Sequence, residues 1–154
     1  MYKYIIVACV TLAAVSIAVI NAHCQTPCGL LNDDIQFAQI SQEAETISRA
    51  CVLILQTQTD ANNLNQAIRA INTKDSSADN LMGILTNYFL AQRIEPVEPE
   101  GDKQAYERYV RQLILINKLS RAAVACKQNS DPAKADELKK LIQQFQHAFG
   151  QHGP

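Results

Sequence analysis

The sequence predicts an all-α protein, an antiparallel four-helix bundle of up-down-up-down order. Three observations predict it: four long segments repeat apolar residues with the period of a helix, no segment alternates like a strand, and the connections between segments are short. Each amphipathic segment has one stripe to bury, and a bundle lets every stripe face the others.

The first segment runs from about Asp33 to Gln58 and carries Ile40, Ala44, Ile47, Cys51 and Ile54 on one stripe. Asp33 and Asp34 stand where negative charge favours a helix N-terminus. A second segment, about Ala61 to Gln92, places Leu64, Ile68, Ile71, Ala78, Leu81, Leu85 and Phe89 at helical spacing. Glu95-Pro96-Val97-Glu98-Pro99-Glu100-Gly101 then breaks the pattern, because two prolines and a glycine in so short a stretch make a linker. The third helix starts at Asp102 as N-cap and runs to about Lys127, with Tyr109, Leu113, Ile116, Ala123 and Cys126 on one face. The fourth opens at Asp131-Pro132, an N-cap followed by proline in the first turn, and carries Leu138, Ile142, Phe145 and Phe149 before Gly150.

Ahead of the helices lies a different kind of segment. Of the 154 residues 47% are apolar, but Met1 to Ala22 hold 18 apolar side chains and one charge, Lys3. A short positive start, an uncharged run from Ile5 to Ile20, and a small residue at Ala22 form the three-part pattern of a secretory signal peptide, cut after Ala22. The uncharged run of 16 is shorter than the roughly 20 residues that an uncleaved anchor wants. A lipoprotein signal is excluded by His23, since the residue before the lipidated cysteine must be small. The expected destination is exported, periplasmic or extracellular, with no stable membrane association once the leader is removed.

Removing Lys3 with the leader leaves 13 Lys/Arg against 15 Asp/Glu, a formal charge of −2. The longest basic run is Lys139-Lys140, so no nucleic-acid surface is expected. Only three histidines occur, His23, His147 and His152. No Glu-x-x-His or His-Glu-x-x-His pattern exists, which excludes the zinc hydrolases and the carboxylate-histidine di-iron bundles.

The chemistry concentrates at His23-Cys24-Gln25-Thr26-Pro27-Cys28-Gly29, which begins at the expected cut. Cleavage frees the His23 α-amine, so this residue offers two nitrogens; Cys24 offers its thiolate and, when deprotonated, its backbone nitrogen. Short covalent paths join these donors into adjacent small chelate rings, and Cys28 adds a second thiolate. Two nitrogens and two thiolates in a plane suit Ni(II) or Cu(II). Pro27 and Gly29 help a short metal-binding hook turn back on itself. Amide and thiolate donors also stabilise a higher oxidation state, which favours a redox role over a structural one.

This stretch resembles the mature N-terminus of the nickel superoxide dismutases, His-Cys-x-x-Pro-Cys-Gly, with His23, Cys24, Pro27, Cys28 and Gly29 in register. Asn87-Tyr88-Phe89 with Gln92-Arg93-Ile94, Tyr106 to Leu119, and Cys126 through Phe149 resemble the later helices of that family. The resemblance implies a right-handed four-helix bundle assembled as a homohexamer, with one nickel ion per subunit, acting on superoxide to yield dioxygen and hydrogen peroxide. It implies that His23, Cys24 and Cys28 bind the metal: the His23 amine, the Cys24 amide nitrogen and the Cys24 and Cys28 thiolates are equatorial, and the His23 imidazole is axial in the Ni(III) state. It also implies a catalytic role for Tyr88, which matches a family tyrosine near the metal that orders water and restricts access.

The chain departs from the family pattern at three places: Leu31 stands for a tyrosine, Gln39 for a glutamate that orients the ligand histidine, and Ser76 or Ser77 for an arginine or histidine. The competing reading is a non-catalytic exported helical-bundle protein that captures metal through the hook or carries a Cys24–Cys28 disulfide. Cys51 and Cys126 lie on apolar faces and read as core or as a bridge; His147 and His152 read as surface residues.

Overall fold

The computed structural model describes residues 31–59 and 61–150. Helix α1 spans Asp33–Thr57, and a 3₁₀ turn at Ala61–Asn63 leads into α2, Leu64–Ile84. A π-helix, Leu85–Arg93, continues α2. Then α3 covers Lys103–Gln128 and α4 covers Pro132–Gly150. Helix α1 packs against α2 and α4, and α3 packs against the same two, which closes the ring of an up-down-up-down bundle. The described residues contain no strand.

Local chemistry starts each helix where the sequence says it should. The Asn32 side chain accepts a hydrogen bond from the Ile35 N–H at 3.1 Å, which leaves Asp33 and Asp34 in the first turn of α1. Asp102 accepts from Gln104 N–H at 2.8 Å, and Asp131 accepts from Ala133 N–H at 2.9 Å. Between π-helix and α3 the Pro-rich linker is extended, with one turn closed by Gly101 N–H on the Glu98 carbonyl.

Apolar residues from all four helices form one core. Ile40, Ala44 and Ile47 of α1 meet Ala78 and Leu81 of α2, Leu119 and Ala123 of α3, and Leu138 and Ile142 of α4. Toward the start of α1 the core becomes aromatic. All four phenylalanines of the chain, Phe37, Phe89, Phe145 and Phe149, lie within ring-centroid distances of 4.7 to 5.8 Å of one another, mostly edge-on or tilted, the orientation that ring quadrupoles favour.

The second segment departs from its expected stripe. Leu64, Ile68 and Ile71 are 61%, 46% and 40% exposed, and the buried face carries Ala67, Ala70, Lys74 and Ser77 instead. Counting back in helical steps from the buried Ala78 reaches Lys74, Ala70 and Ala67, so the seam continues through small residues and a lysine and passes beside the bulky ones. The expectation followed side-chain size where packing followed phase. The segment also does not end as an α-helix, since its last nine residues wind as a π-helix.

Lys74 is the feature that the apolar pattern hid. It is 2% exposed, and its ammonium donates to the carbonyls of Cys126 at 2.6 Å and Lys127 at 2.8 Å and pairs with Asp75 at 2.8 Å. These carbonyls belong to the last turn of α3, which has no partners of its own there. A cation at a helix C-terminus also answers the negative end of the helix dipole. Lys74 therefore caps α3 from α2. Lys74→Met should lower the unfolding free energy by about 3 kcal/mol, because a charged hydrogen bond is lost and buried acceptors are left unmet. A urea midpoint unchanged from the parent would exclude the capping role.

Candidate metal centre

The proposed ligands His23, Cys24 and Cys28 lie outside the described residues, as do Cys9 and His152. Among the described residues no three His, Cys, Asp or Glu side chains are placed to share a metal ion. The described cysteines, Cys51 and Cys126, are buried and free, so the bridge between them is not formed. Burial raises both thiols above the ordinary cysteine range, Cys126 to about 11, so each stays protonated and makes a poor ligand. His147 is exposed on α4. The expected donor set of His23, Cys24 and Cys28, two thiolates beside nitrogens, is of a chemistry that fits nickel.

Tyr88 is the proposed site residue that the structure places. It sits in the π-helix, only 5% exposed, with its ring edge-on to Phe89 at 5.1 Å. Its O–H donates to Asp33 Oδ1 at 2.7 Å. Arg93 grips the same carboxylate with both arms of its fork, Nε to Oδ1 at 2.8 Å and Nη2 to Oδ2 at 2.7 Å. A bidentate, charge-assisted pair of this geometry is both strong and directional.

The π-helix is what brings Tyr88 and Arg93 together. In an α-helix, residues five apart point about 140° away from each other. Here the winding closes i to i+5 instead, as in Ile94 N–H donating to the Phe89 carbonyl at 2.9 Å, and residues five apart share a side. Tyr88 and Arg93 are such a pair, and both reach Asp33.

Electrostatics follow from this geometry. The Arg93 guanidinium holds the Asp33 carboxyl below its ordinary range, and the Tyr88 hydrogen bond adds to that against the cost of partial burial. Burial, with the Asp33 carboxylate next, pushes the Tyr88 phenol up to about 12. At neutral pH the cluster is therefore carboxylate, guanidinium and neutral phenol.

The hydrogen bonds of this cluster involve none of the positions that depart from the family pattern. Leu31 and Gln39 are exposed, Ser76 is exposed, and Ser77 is buried on the core side of α2. By sequence Asp33 reads as a helix-terminus charge and Arg93 as part of a stretch that resembles the family. Their partnership depends on the π-turn, which no periodicity of apolar residues announces. An open groove of about 890 Å³ between α3 and α4, lined in part by Val110, Ile114, Lys118 and Lys140, includes none of the three. No helix among the described residues is long and apolar enough to cross a membrane.

Comparison with known proteins follows the same line. The family model described as "Nickel-containing superoxide dismutase" matches residues 18–152. A crystal structure of a Ni-containing superoxide dismutase, with nickel ligation of the state after partial X-ray-induced reduction, superimposes with a TM-score of 0.64. That match is 24% identical and covers 84% of this chain and 97% of the other, a likeness of fold. No curated protein matches.

The cluster has a pH signature. Asp33, with its pKa lowered, contributes stability that is present above the unfolded value near 3.8 and is lost as pH falls through the lower folded value. Tyr88, with its pKa raised, contributes stability that is present below 10 and lost as pH rises through about 12. Tyr88→Phe should therefore lower Tm by about 3 °C across roughly pH 5 to 9. The difference from the parent should shrink at both extremes. A penalty that stayed constant into strong acid would show that the phenol does not engage Asp33.

Proposed function

Since the chain belongs to the family of nickel-containing superoxide dismutases, we propose that His23, Cys24 and Cys28 hold its nickel ion. The protein is a nickel-dependent superoxide dismutase with a four-helix-bundle fold. It converts two superoxide ions and two protons to dioxygen and hydrogen peroxide. The observation that carries the site assignment is the order of donors: histidine first after the cut, cysteine second, and Pro-Cys-Gly at the turn of the hook.

The metal supplies a one-electron Ni(II)/Ni(III) couple when bound. The residues supply the rest. The His23 amine, the Cys24 backbone nitrogen and the Cys24 and Cys28 thiolates would hold the metal, and the anionic amide and thiolates would favour the higher oxidation state. The His23 imidazole would supply a further nitrogen donor. Tyr88, which matches a family tyrosine near the metal, would order water and narrow access with its neutral phenol.

Two further statements belong to this reading. Met1 to Ala22 act as a signal peptide, so the protein is exported and the cut after Ala22 creates the amine ligand. The subunits assemble as a homohexamer, by likeness to the family.

N-terminal sequencing of the exported protein should begin His-Cys-Gln, with about one nickel per subunit and cyanide-resistant dismutase activity. A metal-free protein with Cys24 and Cys28 oxidised to each other would overturn the assignment. One extra residue before His23 should abolish the chelate, because the amine becomes an amide. His23→Ala should keep part of the nickel but lose most turnover, measured as activity per bound nickel; unchanged turnover would count against the axial imidazole.

A further inference from the structure

A phenol has one hydrogen to donate and lone pairs with which to accept. In Tyr88 that hydrogen is already committed, since the O–H donates to Asp33 Oδ1 at 2.7 Å. The carboxylate is in turn held on both oxygens by Arg93, at 2.8 and 2.7 Å. Neither partner is free to swing. Asp33 lies in the first turn of α1, Arg93 in the last turn of the π-helix, and the phenol is nearly buried between the bundle's aromatic end and this ion pair.

We infer that Asp33 and Arg93 are positioning residues for Tyr88, which orient its phenol so that the oxygen meets the reaction as a hydrogen-bond acceptor and not as a donor. The inference rests on the reading of Tyr88 as a residue near the nickel. Its chemical consequence is a selection among oxygen species. Superoxide is an anion that can only accept hydrogen bonds, so it gains none from Tyr88. Water and hydrogen peroxide carry O–H groups that can donate, and Tyr88 is set to hold them. The residue would order water and the protonated product while leaving the anion to the metal.

Arg93 matters because a carboxylate without it would rotate or, in acid, take up a proton. The fork holds the acceptor in place and keeps it charged, which in turn keeps the phenol hydrogen pointed at it. Asp33 stands five residues after Cys28, so the same clamp fixes the point at which the chain enters α1.

The test uses two readouts on the processed protein, with Asp33→Ala, Arg93→Gln, Tyr88→Phe and the double variant Asp33→Ala/Tyr88→Phe. In nickel-free protein, ultraviolet titration of tyrosine, with the Tyr88→Phe curve subtracted, reads the phenol. Asp33→Ala should lower its ionisation midpoint by at least about one unit, because the charge that opposes ionisation is gone. In nickel-loaded protein, Asp33→Ala and Tyr88→Phe should each lower turnover per nickel, by roughly 10-fold, and the double variant should lose no more than Tyr88→Phe alone. Arg93→Gln should fall between the parent and Asp33→Ala in turnover, and it should not lower the phenol midpoint, because the guanidinium favours ionisation and Asp33 remains without it.

The failures separate cleanly. If Tyr88→Phe costs no turnover, the placement of Tyr88 near the nickel falls and this inference with it. If Tyr88→Phe costs turnover but Asp33→Ala moves neither the phenol nor the rate, or if the double variant loses the product of both effects, Asp33 does not act through Tyr88 and the inference alone is overturned. Circular dichroism of each variant at the assay temperature must match the parent, and Arg93→Gln serves as the second route should Asp33→Ala fail to fold.

Discussion

A continuous apolar seam down the middle of the ring is the constraint from which the remaining structure follows. Each helix must turn its seam residues inward, and any polar group caught on the seam must find a partner there. Lys74 and Tyr88 are two such groups, one toward each end of α1. Lys74 lies at the end marked by Cys51 and Cys126 and turns its charge to the open carbonyls of α3. Tyr88 lies at the aromatic end and turns its hydroxyl to Asp33. No buried polar side-chain atom among the described residues lacks a hydrogen bond, so the bundle meets this demand.

The same seam sorts the cysteines by chemistry. Cys51 and Cys126 are packed among apolar side chains and kept protonated by desolvation, with the Lys74 ammonium pulling the other way without prevailing. A protein whose product is hydrogen peroxide gains from that arrangement, because peroxide attacks thiolates. The cysteines proposed to hold nickel, Cys24 and Cys28, precede Asn32 in the sequence, outside the helical segments that carry the seam.

The π-helical turn meets a second demand at the aromatic end of the bundle. Leu85, Tyr88 and Phe89 are all buried, and Arg93 must still reach Asp33 at the surface of the same end. An α-helical continuation would carry Arg93 away from Tyr88 by more than a third of a turn. Wider winding keeps the aromatic residues in the core and returns Arg93 to their side. The energetic cost of poorer helix geometry is offset by a bidentate ion pair, a phenol hydrogen bond and a cluster of edge-on rings.

Helix number, order, starts and stops were legible from residues alone, because caps, prolines and glycines act within a few positions of themselves: Asp102, Asp131-Pro132 and the Pro-rich linker each do in the fold what they announce in the chain. The donor set proposed for the hook rests on local sequence in the same way, since its chelate rings would be made of consecutive bonds. The phase of α2 was not. Leu64, Ile68 and Ile71 are apolar and helically spaced, yet the neighbouring stripe of alanines with Lys74 is the one that faces α1 and α3, and only packing against those helices settles which stripe wins. Asp33, Tyr88 and Arg93 are separated by 55 and 60 positions, and no local rule links them. Tertiary structure decided their meeting, because a hydrogen bond between distant residues exists only after the helices that carry them have found their register.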